Sequence, residues 1–139
     1  MEKQFEIMSL EELNPVADYI CELVKNEPHF CFNAEMGAGK TTLINLVCKK
    51  MGVKEHTSSP TYSIVNEYLD NENNSIFHFD LYRINDEAEL LDIGMIEILD
   101  SNSVCFIEWP EKTLNFIPGT YVEVNIEQQG KIRTIKITS

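Results

Sequence analysis

Lys40 and Thr41 follow two glycines in the stretch Ala34-Glu35-Met36-Gly37-Ala38-Gly39-Lys40-Thr41. These types at this spacing have the chemistry of a phosphate cradle. Backbone N–H groups of a tight loop and of a helix start can wrap phosphate oxygens. Gly37 and Gly39 let the main chain approach without a Cβ in the way. Lys40 offers a point charge to the β- and γ-phosphates, and the Thr41 hydroxyl offers an oxygen to Mg²⁺. The pattern G-x-x-x-x-G-K-[ST] carries this meaning between a strand and a helix. Gly39, Lys40 and Thr41 meet its last three positions, while Ala34 stands at its first glycine. An alanine there needs a backbone geometry that an L-residue tolerates. The cradle as a whole is read as Gly37–Thr42.

A phosphate loop also needs an acid near Mg²⁺. Glu108 directly follows the apolar run Val104–Ile107, and Asp80 ends the run that begins at Ile76. Ligands of α/β sheets gather at the carboxyl ends of parallel strands. Glu108 meets that condition well if its strand runs parallel to Phe30–Asn33, and Asp80 meets it less well. Trp109, beside Glu108 and followed by Pro110, sits at a strand–loop exit. It is read either as core packing or as a face for nucleotide or partner.

The elements that must position these residues follow from periodicity. Phe30–Asn33 reads as a short strand, Ala34–Gly39 as a loop, and Lys40–Met51 as a helix with Gly52 at its end. Upstream, Ser9–Glu12 fits a capping box and Asn14-Pro15 offers a second helix start. Leu13, Ala17, Ile20, Cys21 and Val24 then mark one apolar face. His56–Thr61 reads as a loop, and Ile64–Leu69 and Ile76–Asp80 as strands joined by the turn-rich Asp70–Ser75. Phe77 and Phe79 share one face of the second strand, His78 and Asp80 the other. Asp86–Leu99 reads as helical with a break at Gly94, and Val104–Ile107 as a buried strand. Tyr121–Glu127 and Ile132–Thr138 form a hairpin around Gln128-Gln129-Gly130. Mixed strands and helices predict a three-layer α/β fold of the P-loop NTPase class, with a central sheet that has parallel and antiparallel members.

The chain has 139 residues, a length that suggests one domain over 1–139. Its net charge of −12, with only 11 Lys and Arg, argues against a primary DNA or RNA binder. The longest unbroken apolar run is four residues, which leaves no transmembrane segment, and the start lacks a signal-peptide pattern. Cys21, Cys31, Cys48 and Cys105 form no Cys-x-x-Cys pair and read as free thiols of a cytoplasmic protein. Arg83 and Arg133 are the only arginines, too few for the lid of a nucleotide kinase. A guanine-reading Asn-Lys-x-Asp motif is absent.

Four blocks then add up in order: Met36–Leu43, Ser59-Pro-Thr-Tyr-Ser-Ile-Val65, His78-Phe-Asp-Leu-Tyr-Arg83 and Ile107-Glu-Trp-Pro110. Together they resemble the bacterial TsaE (YjeE) family, the ATPase of tRNA threonylcarbamoyladenosine synthesis. The first block is generic to P-loops, and the last three are specific. The resemblance implies ATP or ADP with Mg²⁺ held by Met36, Gly37, Ala38, Gly39, Lys40, Thr41 and Thr42. It implies a switch loop at Ser59–Tyr62 with Thr61 sensing the γ-phosphate, and Glu108 as a Mg²⁺ ligand beside Thr41. Asp80 is implied as a metal-side acid or a water-orienting residue, which makes Lys40, Asp80 and Glu108 the catalytic set. Trp109 is similar to the family tryptophan near the nucleotide, and Glu11 and Lys131 fall where the family's terminal segments approach it. The implied partners are TsaD and TsaB, with tRNA met only through that complex. Two other readings stay open beside an ATPase: a small-molecule kinase, and a nucleotide-gated binding module that does not hydrolyse.

Overall fold

The computed structural model describes residues 1–35, 37–55, 57, 60 and 64–139. The chain begins with strand β1 (Glu2–Ile7), a 3-10 turn at Leu10–Glu12 and helix α1 (Leu13–Val24). Strand β2 (His29–Ala34) and helix α2 (Lys40–Lys50) follow, then β3 (Val65–Leu69) and β4 (Ser75–Asp80). Two short helices, α3 (Glu87–Asp92) and α4 (Met95–Asp100), lead into β5 (Val104–Glu108). Two 3-10 turns connect it to β6 (Val122–Gln129) and β7 (Ile132–Thr138).

The seven strands form one sheet in the order β1-β7-β6-β2-β5-β4-β3. Strands β6, β2, β5 and β4 run parallel in its centre. Strands β1 and β7 on one side and β3 on the other pair antiparallel. The fold is the expected three-layer α/β arrangement, with the mixed parallel and antiparallel sheet between two helical layers. The continuous apolar run of β5 has the composition of a strand buried on both faces. Its alternate residues divide the core. Phe106 joins Phe30, Phe32, Ile76 and Val124 under α1 and α2. Cys105 and Ile107 join Cys31, Phe79 and the α3–α4 residues Leu90, Met95 and Leu99.

Several boundaries differ from the sequence expectation. The Ser9–Glu12 capping box does not form: Ser9 caps a 3-10 turn without a side-chain bond to the backbone, and its hydroxyl meets the Glu12 carboxylate at 3.4 Å. Helix α1 starts at Leu13, so Pro15 falls inside its first turn, where its missing N–H is not needed. Val16 is buried with Leu13, Ala17 and Ile20, while Cys21 and Val24 are only half-buried. The expected break at Gly94 is a full interruption, with a left-handed φ of 77° separating α3 from α4. Cys21, Cys31, Cys48 and Cys105 are free, and burial pushes the thiols of Cys31, Cys48 and Cys105 up to about 12.

Candidate active site

The sheet brings the two acids and the glycine loop to one end. Strand β5 runs parallel to β2, with Glu108 level with Phe32, and β4 runs parallel to β5, with Asp80 level with Glu108. Both carboxylates therefore end parallel strands beside the loop that leaves β2. Ala34 is the last residue of β2 and pairs with Ile126 of β6. An extended strand position suits any L-residue, so the alanine at the first P-loop position causes no strain.

The turn falls to Gly37 and Gly39, with left-handed φ values of 84° and 102°. At Gly37 only the dihedral asks for glycine, because a Cβ would meet nothing within 4 Å. At Gly39 a Cβ would also lie 3.1 Å from the Arg133 guanidinium. Helix α2 then starts at Lys40, and Leu43 N–H donates back to the Gly39 carbonyl at 3.0 Å. The amides of Lys40, Thr41 and Thr42 precede that bond and belong to the orphan donors of a helix start.

Thr41 Oγ1 donates to Glu108, 3.2 and 3.1 Å from its two carboxylate oxygens. Glu108 is only 3% exposed. Its Oε2 also lies 2.6 Å from Nε2 of the fully buried His78. With Glu108 ionised, Nε2 must carry the proton, because a carboxylate only accepts. His78 Nδ1 has no hydrogen-bond partner among the described residues. Lys40 is 6% exposed and donates to the Ala34 carbonyl at 3.1 Å. Burial lowers its pKa, and the negative charges of Glu108, Asp80 and Glu111 work against that shift. A buried ammonium that neighbouring carboxylates keep charged is suited to meet an anion.

Trp109 has a φ of 57°, an uncommon conformation for a bulky residue. It puts the indole over Lys40, with Nζ 3.6 Å from the ring centroid, and 5.0 Å from the ring of the exposed Tyr82. Asp80 Oδ1 accepts from the Tyr82 amide at 3.1 Å and so shapes that turn. A cavity of about 320 Å³ lies among these groups, lined by Gly37, Gly39, Lys40, Thr41, Thr42, Asp80, Tyr82, Glu108 and Trp109. A second cavity of about 210 Å³ is lined by Ile7–Leu10, Gln128, Lys131 and Arg133.

A family model described as "Threonylcarbamoyl adenosine biosynthesis protein TsaE" matches residues 7–135. The chain belongs to the TsaE family. The chain is similar to the tRNA threonylcarbamoyladenosine biosynthesis protein TsaE of Haemophilus influenzae, 38% identical over 76% of this chain and 66% of that one. The TsaE proteins of Bacillus subtilis and Aquifex aeolicus are each 29% identical, over 86% and 94% of this chain and 74% and 94% of theirs. The crystal structure of Bacillus subtilis YdiB shares the fold, with a TM-score of 0.73 at 20% identity over all of this chain and 86% of that one.

Set against the residues that the TsaE resemblance singles out, the structure gathers Gly37, Gly39, Lys40, Thr41, Thr42, Asp80, Glu108 and Trp109 around one cavity. Ala38 is nearby but packs its side chain into the core, so only its backbone is available. Lys131 lines the second cavity. Glu11 does not line either cavity; it is exposed in the 3-10 turn beside Leu10, with its carbonyl accepting from Asn14 at 3.0 Å. Met36 and Thr61 lie outside the described residues, and of the segment 59–62 only Pro60 is described. The reading of single residues gave no role to His78, Tyr82 or Arg133. For His78 a signal was present, since alternation already put it on the face of Asp80. No helix among the described residues is long and apolar enough to cross a membrane.

Proposed function

We propose that this chain binds ATP with Mg²⁺ and hydrolyses it, in support of the threonylcarbamoyladenosine modification of tRNA carried out with TsaD and TsaB. The observation that carries the reading is the Thr41–Glu108 contact beside buried Lys40, at the carboxyl ends of parallel strands. The donor set fits the ion. A hydroxyl and a carboxylate are hard oxygen ligands, and Mg²⁺ takes only one or two protein carboxylates together with substrate phosphates and water. Bound Mg²⁺ would neutralise charge developing on the phosphates.

Each remaining role belongs to a group of the chain. The loop amides and the left-handed Gly37 and Gly39 receive phosphate oxygens. Lys40 exchanges its bond to the Ala34 carbonyl for phosphate oxygens. Asp80, which lines the cavity level with Glu108, orients the attacking water or meets the ion. Trp109 covers the lysine and keeps water from it. His78 holds the Glu108 carboxylate in one orientation toward Thr41. Base and ribose occupy the second cavity, against Lys131 and the Met8 and Leu10 side chains. The strongly acidic surface suits a protein that meets tRNA only through partners.

The deciding experiment is ATP hydrolysis by the chain alone and with TsaD–TsaB. Stimulation by the partners supports the reading. Phosphate appearing on an added metabolite replaces it with a kinase. Binding of ATP without turnover under either condition replaces it with a nucleotide-gated module.

A further inference from the structure

Arg133 belongs to β7, opposite Gln128 of β6 and Ile7 of β1. The alternation that buries Ile135 and Ile137 puts it on the sheet face that carries α2 and the glycine loop. Its guanidinium packs directly on Gly39: a Cβ built there would be 3.1 Å from Nη1 and 3.6 Å from Cζ. The glycine thus makes room for the arginine as well as for a ligand. Arg133 is half-buried, which removes part of the water that would otherwise solvate it. Among the described residues it makes no ion pair, and no carboxylate or carbonyl accepts a hydrogen bond from it. That is notable in a chain with 23 Asp and Glu and two arginines. A planar guanidinium with open donors beside a phosphate loop is suited to bidentate contact with phosphate.

Its position selects which phosphate. Lys40, Thr41 and Glu108 line the larger cavity, and Arg133 does not; it lines the second cavity with Lys131. Gly39 stands between, lining the first cavity and touching the guanidinium. A nucleotide with its terminal phosphates at Lys40 and its base in the second cavity must pass Gly39 at the phosphate next to the ribose. We propose that Arg133 contacts this α-phosphate and joins the two cavities into one nucleotide site. The inference rests on the nucleotide reading above and adds a specific residue to it.

The test is calorimetric titration of ATP and of ADP into the full chain and its Arg133→Ala, Arg133→Gln and Arg133→Lys variants, with melting temperatures measured in parallel. Both nucleotides carry the α-phosphate, so Arg133→Ala should weaken ATP and ADP by the same factor, about tenfold for a lost charge-assisted contact. Arg133→Lys should recover part of the loss, because charge remains but the fork does not. Arg133→Gln fills a similar volume without charge and decides the matter if the alanine variant is unstable. Unchanged affinities in a folded Arg133→Gln chain overturn the proposal while leaving the nucleotide reading intact. A loss confined to ATP overturns the α-phosphate assignment, since it puts the arginine at the γ-phosphate. An unmutated chain that binds neither nucleotide overturns both readings.

Discussion

His29 and His78 are both buried, on the two strands that flank β5 in one sheet, and they meet different kinds of partner. His29 opens β2 and is 2% exposed, with Nε2 3.0 Å from the Leu99 carbonyl on the α4 side. Burial lowers its pKa, and the carbonyl only partly offsets this. His78 faces the other helical layer near the carboxyl end of β4, with Nε2 2.6 Å from a buried carboxylate that also takes the Thr41 hydroxyl. At the amino end of the strands the polar group is closed off by backbone and ties a helix to the sheet. At the carboxyl end polar groups are chained to one another and end on a cavity. Burial alone does not separate a structural polar group from a functional one; its partner's remaining valences do.

The largest effect that would break this contrast lies at the carboxyl end. Lys40→Ala should lower ATP affinity or turnover by roughly 10²-fold, equivalent to about 3 kcal/mol of charge-assisted contacts. Its melting temperature should stay close to that of the unmutated chain, because the ammonium serves the ligand more than the core. A folded Lys40→Ala chain with full hydrolysis would remove the P-loop assignment.

A step smaller, Glu108→Gln should lower turnover and raise the Mg²⁺ concentration needed for it by about tenfold, since an amide oxygen is a weaker ligand for a hard cation. A Mg²⁺ activation curve that overlays the original one would take Glu108 out of the metal site.

His78 sharpens the comparison. His78→Leu leaves the buried Glu108 without its short hydrogen bond, which should cost about 1–3 kcal/mol of stability and raise the Mg²⁺ requirement. His78→Gln keeps an N–H donor at a similar reach and should restore part of the Mg²⁺ response. A loss of stability with no change in Mg²⁺ response would make His78 as structural as His29.

The smallest effect belongs to His29. A histidine whose folded pKa lies below its ordinary 6.5 takes up its proton more readily in the unfolded chain. Its contribution to stability is therefore complete above pH 6.5 and is lost as pH falls from there through the folded pKa. Denaturant titrations from pH 7.5 to 5 should show this decline for the parent chain and a shallower one for His29→Gln, which keeps a donor for Leu99 without titrating in that range. Equal slopes would place the acid sensitivity elsewhere.

The legible parts of the fold were those whose local pattern agrees with their final environment. The apolar run of β5, the alternation in β4, the glycines that bracket α2 and the glycine at 94 all mark elements where they stand. Strand β1 gave no such signal. Glu2, Lys3, Gln4 and Glu6 are exposed at the sheet edge, and only pairing with β7 makes the segment a strand. The start of α1 was obscured by a 3-10 turn that uses the same residue types as a capping box. In the site, Lys40, Thr41, Asp80 and Glu108 were readable because their spacing from strands is itself the signal. The approach of Arg133 to Gly39 depends on β7 lying beside β6 and on its register, which no local pattern states.

The most direct measurement is the Mg²⁺ dependence of ATP affinity, followed by calorimetry with excess Mg²⁺ and with EDTA. If Thr41 and Glu108 form the cation site, the parent chain should bind ATP about tenfold or more tightly with Mg²⁺, and a Thr41→Ala, Glu108→Gln double variant should lose that difference. Equal affinity of the parent chain under both conditions, or an undiminished Mg²⁺ effect in the folded double variant, would contradict the assignment of this end of the sheet as a Mg²⁺–nucleotide site.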